Sequence, residues 1–230
     1  MRTCVVGDLH LTMPGAPEFL FDIVRYAADH GAERLVLLGD VNYAWPGSNV
    51  GTHLMRAAEV LPVDFVDGNH ENHDALEHGA SDPVEVLPGV RWLPRGARFV
   101  LGSTLCMSMG GGISIDRKRR TDGLDYWWRE SIGEADVHRA LADGGVDLML
   151  THDAPSSVSI PGKRTLQKDH DRASAWNRAA LQAVLEHATP ALLLHGHHHV
   201  RHEFRGDIAR VIGLGSNHGP LHDAIVMLNL

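Results

Sequence analysis

Five short clusters of aspartate, asparagine, glutamate and histidine are the part of this sequence that could do chemistry. Carboxylate, amide and imidazole groups bind manganese, iron and zinc ions, and no cysteine accompanies them. The set therefore suits those ions and disfavours a structural site in which cysteines hold zinc. In chain order the clusters are Asp8-Leu9-His10, Gly39-Asp40, Gly68-Asn69-His70-Glu71, Thr151-His152-Asp153 and Gly196-His197-His198-His199.

The spacing inside two clusters lets their side chains share an ion. Side chains at positions i and i+2 of an extended chain point to the same side. Asp8 and His10 can therefore hold one ion together. His197 and His199 share a side in the same way, while His198 faces away.

A glycine directly precedes Asp40, Asn69 and His197. Glycine lets the backbone turn tightly, because it has no side chain to restrict its dihedral angles. We expect each of these turns to direct the following side chain inward.

Each cluster follows a short apolar run of the kind that forms a buried strand. In open α/β sheets, ligands lie beyond the carboxyl ends of the strands, so the five clusters are expected at one edge. The predicted strands cover residues 3–6, 34–38, 63–66, 146–150 and 191–194.

Helical and antiparallel patterns account for much of the remaining chain. Helices are predicted over residues 17–30, 133–143 and 171–188. Residues 98–101 and 104–109 flank Gly102-Ser103 as a hairpin, and further strands are predicted over 202–204, 208–212 and 224–228. Strands of both kinds predict an α/β fold of two stacked mixed sheets covered by helices. No linker divides the sequence, so residues 1–230 are expected to form one domain.

Composition narrows the class of protein. The net charge of −8 disfavours a protein that coats nucleic acid, and no stable nucleic-acid partner is expected. No apolar run approaches the roughly 20 residues of a membrane span. Cys4 and Cys106 lie in apolar runs and are expected to be buried free thiols, which predicts a cytoplasmic location. The oligomeric state stays open.

The ordered motifs D-x-H, G-D, G-N-H-E, H and G-H-x-H resemble those of the calcineurin-like metallophosphoesterases. They extend from Asp8 to His199, and five motifs in order are far more specific than any single one. The resemblance implies a four-layer α/β/β/α fold, in which helices sandwich two mixed sheets. It also implies two divalent cations, with manganese preferred over iron or zinc, that activate water against a phosphate ester.

The resemblance also implies a role for each residue of the motifs. His70 matches the catalytic histidine near the leaving-group oxygen, and Glu71 is its neighbour. One metal would be held by Asp8, His10, Asp40 and His199, and the other by Asp40, Asn69, His152 and His197, with the Asp40 carboxylate bridging them.

Substrate recognition is where the sequence departs from the family. Tyr43 occupies a position where members usually carry an acid, three residues after Asp40. Arg117 and Arg120 belong to a basic run after a glycine-rich stretch, and a second loop carries Lys163, Arg164 and Lys168. We expect Tyr43, Arg117 and Arg120 to contact substrate, since basic loops attract phosphate esters.

Residues 110–128 and 151–155 resemble segments of bacterial and bacteriophage family members. That likeness favours a small phosphodiester substrate, including cyclic nucleotides. A phosphomonoester, a phosphoprotein or a dinucleoside polyphosphate is the alternative. A catalytically inactive scaffold would lack ligands, and all are in place here; a DNA-repair nuclease would usually bring extra domains and a basic surface.

Other histidines and two tryptophans have plainer interpretations. We expect His195 and His198 to make solvent or core hydrogen bonds. Trp127 and Trp128 are expected to pack a loop onto the core, with base stacking as the lesser alternative. Most of His73, His78, His218 and His222 are expected at the surface, and whether His218 lines the site is left open.

Overall fold

The computed structural model describes residues 1–162 and 168–230, and its side-chain description omits residues 168–171 as well. The strands in this part of the chain are β1 (Arg2–Val6), β2 (Arg34–Leu37), β3 (Val63–Phe65), β4 (Val84–Leu87), β5 (Val90–Trp92), β6 (Arg98–Leu101), β7 (Thr104–Met109), β8 (Leu148–Thr151), β9 (Leu192–His195), β10 (His202–Arg205), β11 (Arg210–Gly213) and β12 (Ile225–Asn229). The α-helices are α1 (Ala16–Asp29), α2 (Val50–Ala58), α3 (Glu134–Leu141), α4 (Lys168–Ala188) and α5 (Leu221–Ala224).

The strands form two mixed six-stranded sheets. The first has the order β12-β1-β2-β3-β5-β4, in which β1, β2, β3 and β5 are parallel and both edge strands antiparallel. The second has the order β10-β11-β9-β8-β7-β6, again with four parallel strands between antiparallel edges. The predicted α/β fold of two stacked mixed sheets flanked by helices is confirmed.

Alternating side chains divide the core into three layers. Val5 and Val36 point between the sheets and pack with Leu148 and Leu194 from the second sheet. Neighbouring residues of β1 and β2 point outward against α1 and α2, and Met149 and Leu193 point outward against α4. Because both faces of each sheet are covered, the central strands read as continuous apolar runs.

The sequence located most elements to within a few residues. All five predicted parallel strands are present, as are the 98–101 and 104–109 hairpin and the three predicted helices. It missed α2, although Val50, Leu54 and Ala57 have helical spacing and are buried. It also missed β4 and β5, two short strands at one edge of the first sheet, of which β4 is only partly buried.

Two expectations from composition can be compared with the fold. Cys4 and Cys106 are free and buried, as expected. None of the helices in the described residues has the length and apolar composition that crossing a bilayer requires.

Candidate metal centre

The five clusters meet at the carboxyl ends of strands from both sheets. Asp8, Asp40 and Asn69 come from the loops after β1, β2 and β3 of the first sheet, while His152 and His197 come from those after β8 and β9 of the second. Two groups of donors result, each with its ligand atoms within 4.8 Å of one another. The first contains Asp8, His10, Asp40 and His199, and the second contains Asp40, His152 and His197.

The first group brings imidazole nitrogens onto buried carboxylates. His10 Nε2 lies 3.0 Å from His199 Nε2 and 3.7 Å from Asp40 Oδ2. Asp8 Oδ2 is 2.9 Å from His199 Nε2, but the two groups are not oriented for a hydrogen bond. This oxygen accepts no hydrogen bond from the described residues. A buried carboxylate oxygen without a partner is costly, and a cation bound here would satisfy it.

The second group places several acceptors against one another. His152 Nδ1 donates to the Leu38 carbonyl oxygen at 2.7 Å, which leaves Nε2 of the neutral ring as an acceptor. That nitrogen faces Asn69 Oδ1 at 3.1 Å and Asp40 Oδ1 at 3.4 Å. Three acceptors at this separation repel one another unless a cation or a proton lies between them. A carbonyl that fixes the tautomer of a histidine in this way is typical of metal ligands.

A hydrogen-bonded chain sets the direction of the Asn69 amide. Its Nδ2 donates to Ser114 Oγ at 3.1 Å, and the Ser114 hydroxyl donates to Glu130 Oε2 at 2.6 Å. The amide oxygen is thereby turned toward His152. Burial raises the pKa of Glu130 to about 7. Sequence reasoning missed both Ser114 and Glu130, because neither belongs to a ligand motif.

The pKa values in the centre follow from burial opposed by opposite charges. Burial would raise the pKa of Asp8 and Asp40, but the surrounding histidines hold both below their ordinary value. Burial would lower the pKa of His152 and His199, but the same carboxylates raise it. Burial does prevail at His197, whose pKa falls to about 3 and whose neutral ring is therefore free to bind a metal.

A third group of donors joins His197 to Asp153 and His198. The Asp153 oxygens already accept hydrogen bonds from the Ala154 amide (2.7 Å), Asn177 Nδ2 (2.9 Å) and His198 Nε2 (3.0 Å). With its acceptors in use, Asp153 supports the loop that carries His197.

The backbone is strained where the donors project. His10, Asp40, His197 and His199 have φ angles of 46°, 52°, 63° and 54°, in the left-handed region that residues with a side chain rarely adopt. Each such residue costs about 1–3 kcal/mol and persists only where its surroundings enforce it. Strain at four of the seven predicted ligands is therefore a mark of a functional site.

The three glycines before the donors serve two different purposes. Gly39 has a φ of 92° and makes the tight turn that the sequence predicts. Gly68 and Gly196 are required because a side chain would not fit. A Cβ at Gly68 would overlap the Asp40 carboxylate, and a Cβ at Gly196 would overlap the Asp8 carboxylate. Asp40 also accepts the His70 backbone amide at 2.8 Å, and Asp8 accepts the His197 amide at 3.0 Å.

Replacing Gly68 with alanine is expected to weaken metal binding at least about tenfold, as loss of a supporting contact does at other metal sites. The new Cβ would displace the Asp40 carboxylate and approach His152 Cε1 to 2.8 Å. Metal titration followed by calorimetry checks this. Gly144→Ala is the matched control, because a Cβ there meets open space and should change nothing. Equal metal affinity in both variants would contradict the tight packing around Asp40.

His70 lies beside the donors at the wall of an open cleft of about 520 Å³. Its ring centroid is 5.1 Å from that of His10, and the Arg120 guanidinium lies 3.3 Å from both ring nitrogens. Arg120 is held by Asp116 at 2.7 Å. Burial lowers the pKa of His70, and Arg120 lowers it further. The Glu71 carboxylate accepts a hydrogen bond from the Val41 backbone amide at 2.9 Å, and it thereby holds the loop that carries Asp40.

The predicted substrate contacts are only partly brought to the cleft. Arg120 lines it, but Arg119 rather than Arg117 accompanies it. Tyr43 does not reach the cleft, because its ring is buried in the core with its centroid 5.3 Å from that of Phe65. Its neighbours Asn42 and Trp45 line the cleft instead. Lys163 and Arg164 lie outside the described residues, as does the Lys168 side chain.

The other histidines and the two tryptophans agree with expectation only in part. His73 is fully buried and lies 3.0 Å from the Gly68 carbonyl oxygen, so it is an exception to the expectation that most of these four histidines lie at the surface. His218 lines the cleft, whereas the His222 side chain is 80% exposed. Trp127 is buried and packs its loop as predicted, but Trp128 is 65% exposed. His195 is buried and hydrogen-bonded to Gly196, and His198 bonds to Asp153.

Comparison with known proteins decides the family. The family model described as calcineurin-like phosphoesterase matches residues 1–201. The chain belongs to this family. Calcineurin-like phosphoesterases use a dinuclear centre of divalent ions, and the two donor groups that share Asp40 are arranged for one. This calcineurin-like phosphoesterase is accordingly a metal-dependent phosphoester hydrolase.

Solved structures agree on the fold. A dimetal phosphatase from Danio rerio aligns with a TM-score of 0.61 at 14% identity, over 100% of this chain and 92% of that one. The Thermus thermophilus protein TT1561 aligns with a TM-score of 0.54 at 15% identity, over 99% of this chain and 98% of that one. A putative 5′-nucleotidase from Staphylococcus aureus aligns with a TM-score of 0.53 at 13% identity, over 99% of this chain and 50% of that one. At these identities the likeness shows the fold alone. No curated protein matches the sequence.

Proposed function

We propose that this calcineurin-like phosphoesterase is a di-metal phosphodiesterase acting on small substrates, cyclic nucleotides among them. The observation that carries the proposal is the pair of donor groups joined at Asp40, with His70 at their edge and an open cleft beyond. In this proposal Asp8, His10, Asp40 and His199 hold one cation, and Asp40, Asn69, His152 and His197 hold the other.

Two bound divalent cations supply an activated water and neutralise charge on the phosphate oxygens. The donor set of oxygen and imidazole suits manganese, iron or zinc, and we propose manganese as the native ion. The fixed tautomer of His152 and the oriented amide of Asn69 mean that these two ligands need little rearrangement on binding.

His70 is placed to hold the proton that the leaving group requires. Its lowered pKa makes it a readier proton donor once protonated, and its ring opens onto the cleft beside the donors. General acid catalysis of this kind contributes about 10²- to 10⁴-fold to the rate. Arg120 lies next to the His70 ring, where its positive charge can stabilise a departing oxygen.

The open cleft beside His70 supports a diester as the substrate. A phosphodiester carries one negative charge and a second substituent, and it needs such room. We further propose that residues 1–230 work as one domain, since both sheets contribute ligands to one centre. Cytoplasmic location and a nucleotide-type substrate stay predictions.

The proposed function predicts metal-dependent cleavage of diesters in preference to monoesters. Protein stripped with a chelator should be inactive, and manganese should restore activity with two ions bound per chain. Bis-(p-nitrophenyl) phosphate should then be hydrolysed faster than p-nitrophenyl phosphate, and a cyclic nucleotide should be cleaved. Faster cleavage of the monoester would instead identify a phosphomonoesterase, and full activity with one ion would remove the di-metal centre.

A further inference from the structure

The cleft beside His70 adjoins a second space whose lining has a different chemistry. This space, of about 600 Å³, lies between the β1–α1 loop and the β2–α2 loop. It is lined by residues 11–15, 17, 18, 45–49 and 53 and is called the neutral groove below. The two spaces adjoin, because Thr12, Met13 and Trp45 line both of them.

Charge separates the two spaces. The cleft is lined by Arg119 and Arg120 together with Asp116 and Asp125, and Arg120 contacts His70. Among the described residues that line the neutral groove, Glu18 and His53 are the only ones with ionisable side chains, and the rest are apolar, hydroxyl or amide groups. A second phosphate would be drawn to the arginines and repelled by Glu18. The groove therefore suits an uncharged group.

Trp45 gives the groove a flat aromatic wall. Its indole centroid is 5.5 Å from that of Trp127, in an edge-to-face contact, and Trp127 Nε1 donates to Asp74 at 3.0 Å. The half-buried ring is thus braced from one side, with its centroid 6.1 Å from that of His70. A fixed indole next to a phosphate site is a platform on which a nucleobase stacks.

An exposed amide in the lining of the groove can bond to a ligand. Asn49 begins α2 without capping it through its side chain, so its exposed amide is available to a ligand. The Ser48 hydroxyl instead donates to the Trp45 carbonyl oxygen at 2.8 Å and steadies the loop. A ligand that combines a flat ring with hydroxyl or amide edges matches these groups.

We propose that the neutral groove binds the nucleoside of a nucleotide phosphodiester, with its base stacked on Trp45. The inference rests on the proposed phosphodiesterase function and names its substrate class. The phosphate would lie at the donor groups, the nucleoside in the groove, and the other substituent on the arginine side of His70.

Two esters with the same leaving group test this directly. Thymidine 5′-(p-nitrophenyl phosphate) and methyl p-nitrophenyl phosphate differ only in the group that would enter the groove. With manganese present, the KM for the thymidine ester should be about tenfold lower, in line with the strength of base stacking. Trp45→Ala should remove most of that difference by raising the KM for the thymidine ester far more than the KM for the methyl ester, while Trp45→Phe should keep most of it.

Two further variants separate stacking from a general loss of structure. Trp128→Ala removes an exposed tryptophan that lines neither space, and both KM values should stay unchanged. Ser48→Trp should fill the groove and weaken binding of the thymidine ester alone. Equal KM values for the two esters, or an equal rise for both in Trp45→Ala, would overturn the nucleoside assignment.

The experiments distinguish an error in the nucleoside assignment from an error in the proposed phosphodiesterase function. If neither ester is cleaved, the phosphodiesterase proposal fails. Calorimetry on the manganese-loaded protein then still decides the groove. Thymidine 5′-monophosphate should bind about tenfold more tightly than inorganic phosphate, and Trp45→Ala should abolish the difference. Equal affinities for thymidine 5′-monophosphate and inorganic phosphate would reject the nucleoside assignment.

Discussion

Replacing Asp40 with alanine is expected to abolish turnover and to empty both metal positions. Asp40 belongs to both donor groups, with its two oxygens 3.4 Å from His152 Nε2 and 3.7 Å from His10 Nε2. Its Oδ1 also accepts the His70 amide, so the variant loses a hydrogen bond that positions His70. Metal-assisted catalysis is worth several kcal/mol, so we expect at least about a thousandfold loss of kcat/KM.

Elemental analysis of the purified variant measures the metal content, and bis-(p-nitrophenyl) phosphate measures the activity. Asp22→Ala is the control, because Asp22 is exposed and pairs with Arg25 on the outer face of α1. Both properties should be normal in that variant. An Asp40 variant that keeps two ions and most of its activity would refute the bridging role.

Replacing His70 with alanine is expected to separate metal binding from chemistry. His70 is outside both donor groups, and its ring faces the cleft beside Arg120. Loss of a general acid should lower kcat about 10²- to 10⁴-fold while leaving the metal content intact. The loss should be smaller for p-nitrophenyl esters than for cyclic nucleotides, because p-nitrophenolate departs without needing a proton.

Steady-state kinetics on both substrates, together with elemental analysis, checks this expectation. His222→Ala is the matched control, since that side chain is 80% exposed and should affect neither quantity. Loss of metal in the His70 variant would move His70 into the ligand set. An equal loss of kcat on both substrates would remove its role as a proton donor.

The sequence by itself determined the fold class and predicted which donor side chains come together at one edge of the sheets. Apolar runs of four or five residues predict buried strands, and the polar clusters after them predict where ligands collect. This worked because a buried parallel strand has a strong local signature and because its carboxyl end fixes which side chains meet. Cys4 and Cys106 were predictable for the same reason, since each lies inside such a run.

Local sequence could not determine which side chains near the motifs reach the cleft. Tyr43 and Trp45 are two residues apart, yet Tyr43 packs on Phe65 in the core while Trp45 lines the cleft. His73 follows the G-N-H-E motif by two residues and is fully buried. In irregular loops the direction of each side chain depends on packing against distant segments, which no periodicity records.

The tertiary structure alone decided how the donors are held and what lies around them. Ser114 and Glu130 orient Asn69 from 45 and 61 positions away along the chain, and Arg120 meets His70 across 50 residues. Two of the three glycines before the donors are required for room beside a carboxylate of another loop, and not for their own turn. The neutral groove exists only because the β1–α1 and β2–α2 loops end at the same edge of the first sheet. Contacts between distant segments form when strands align side by side, so their geometry is a property of the folded chain.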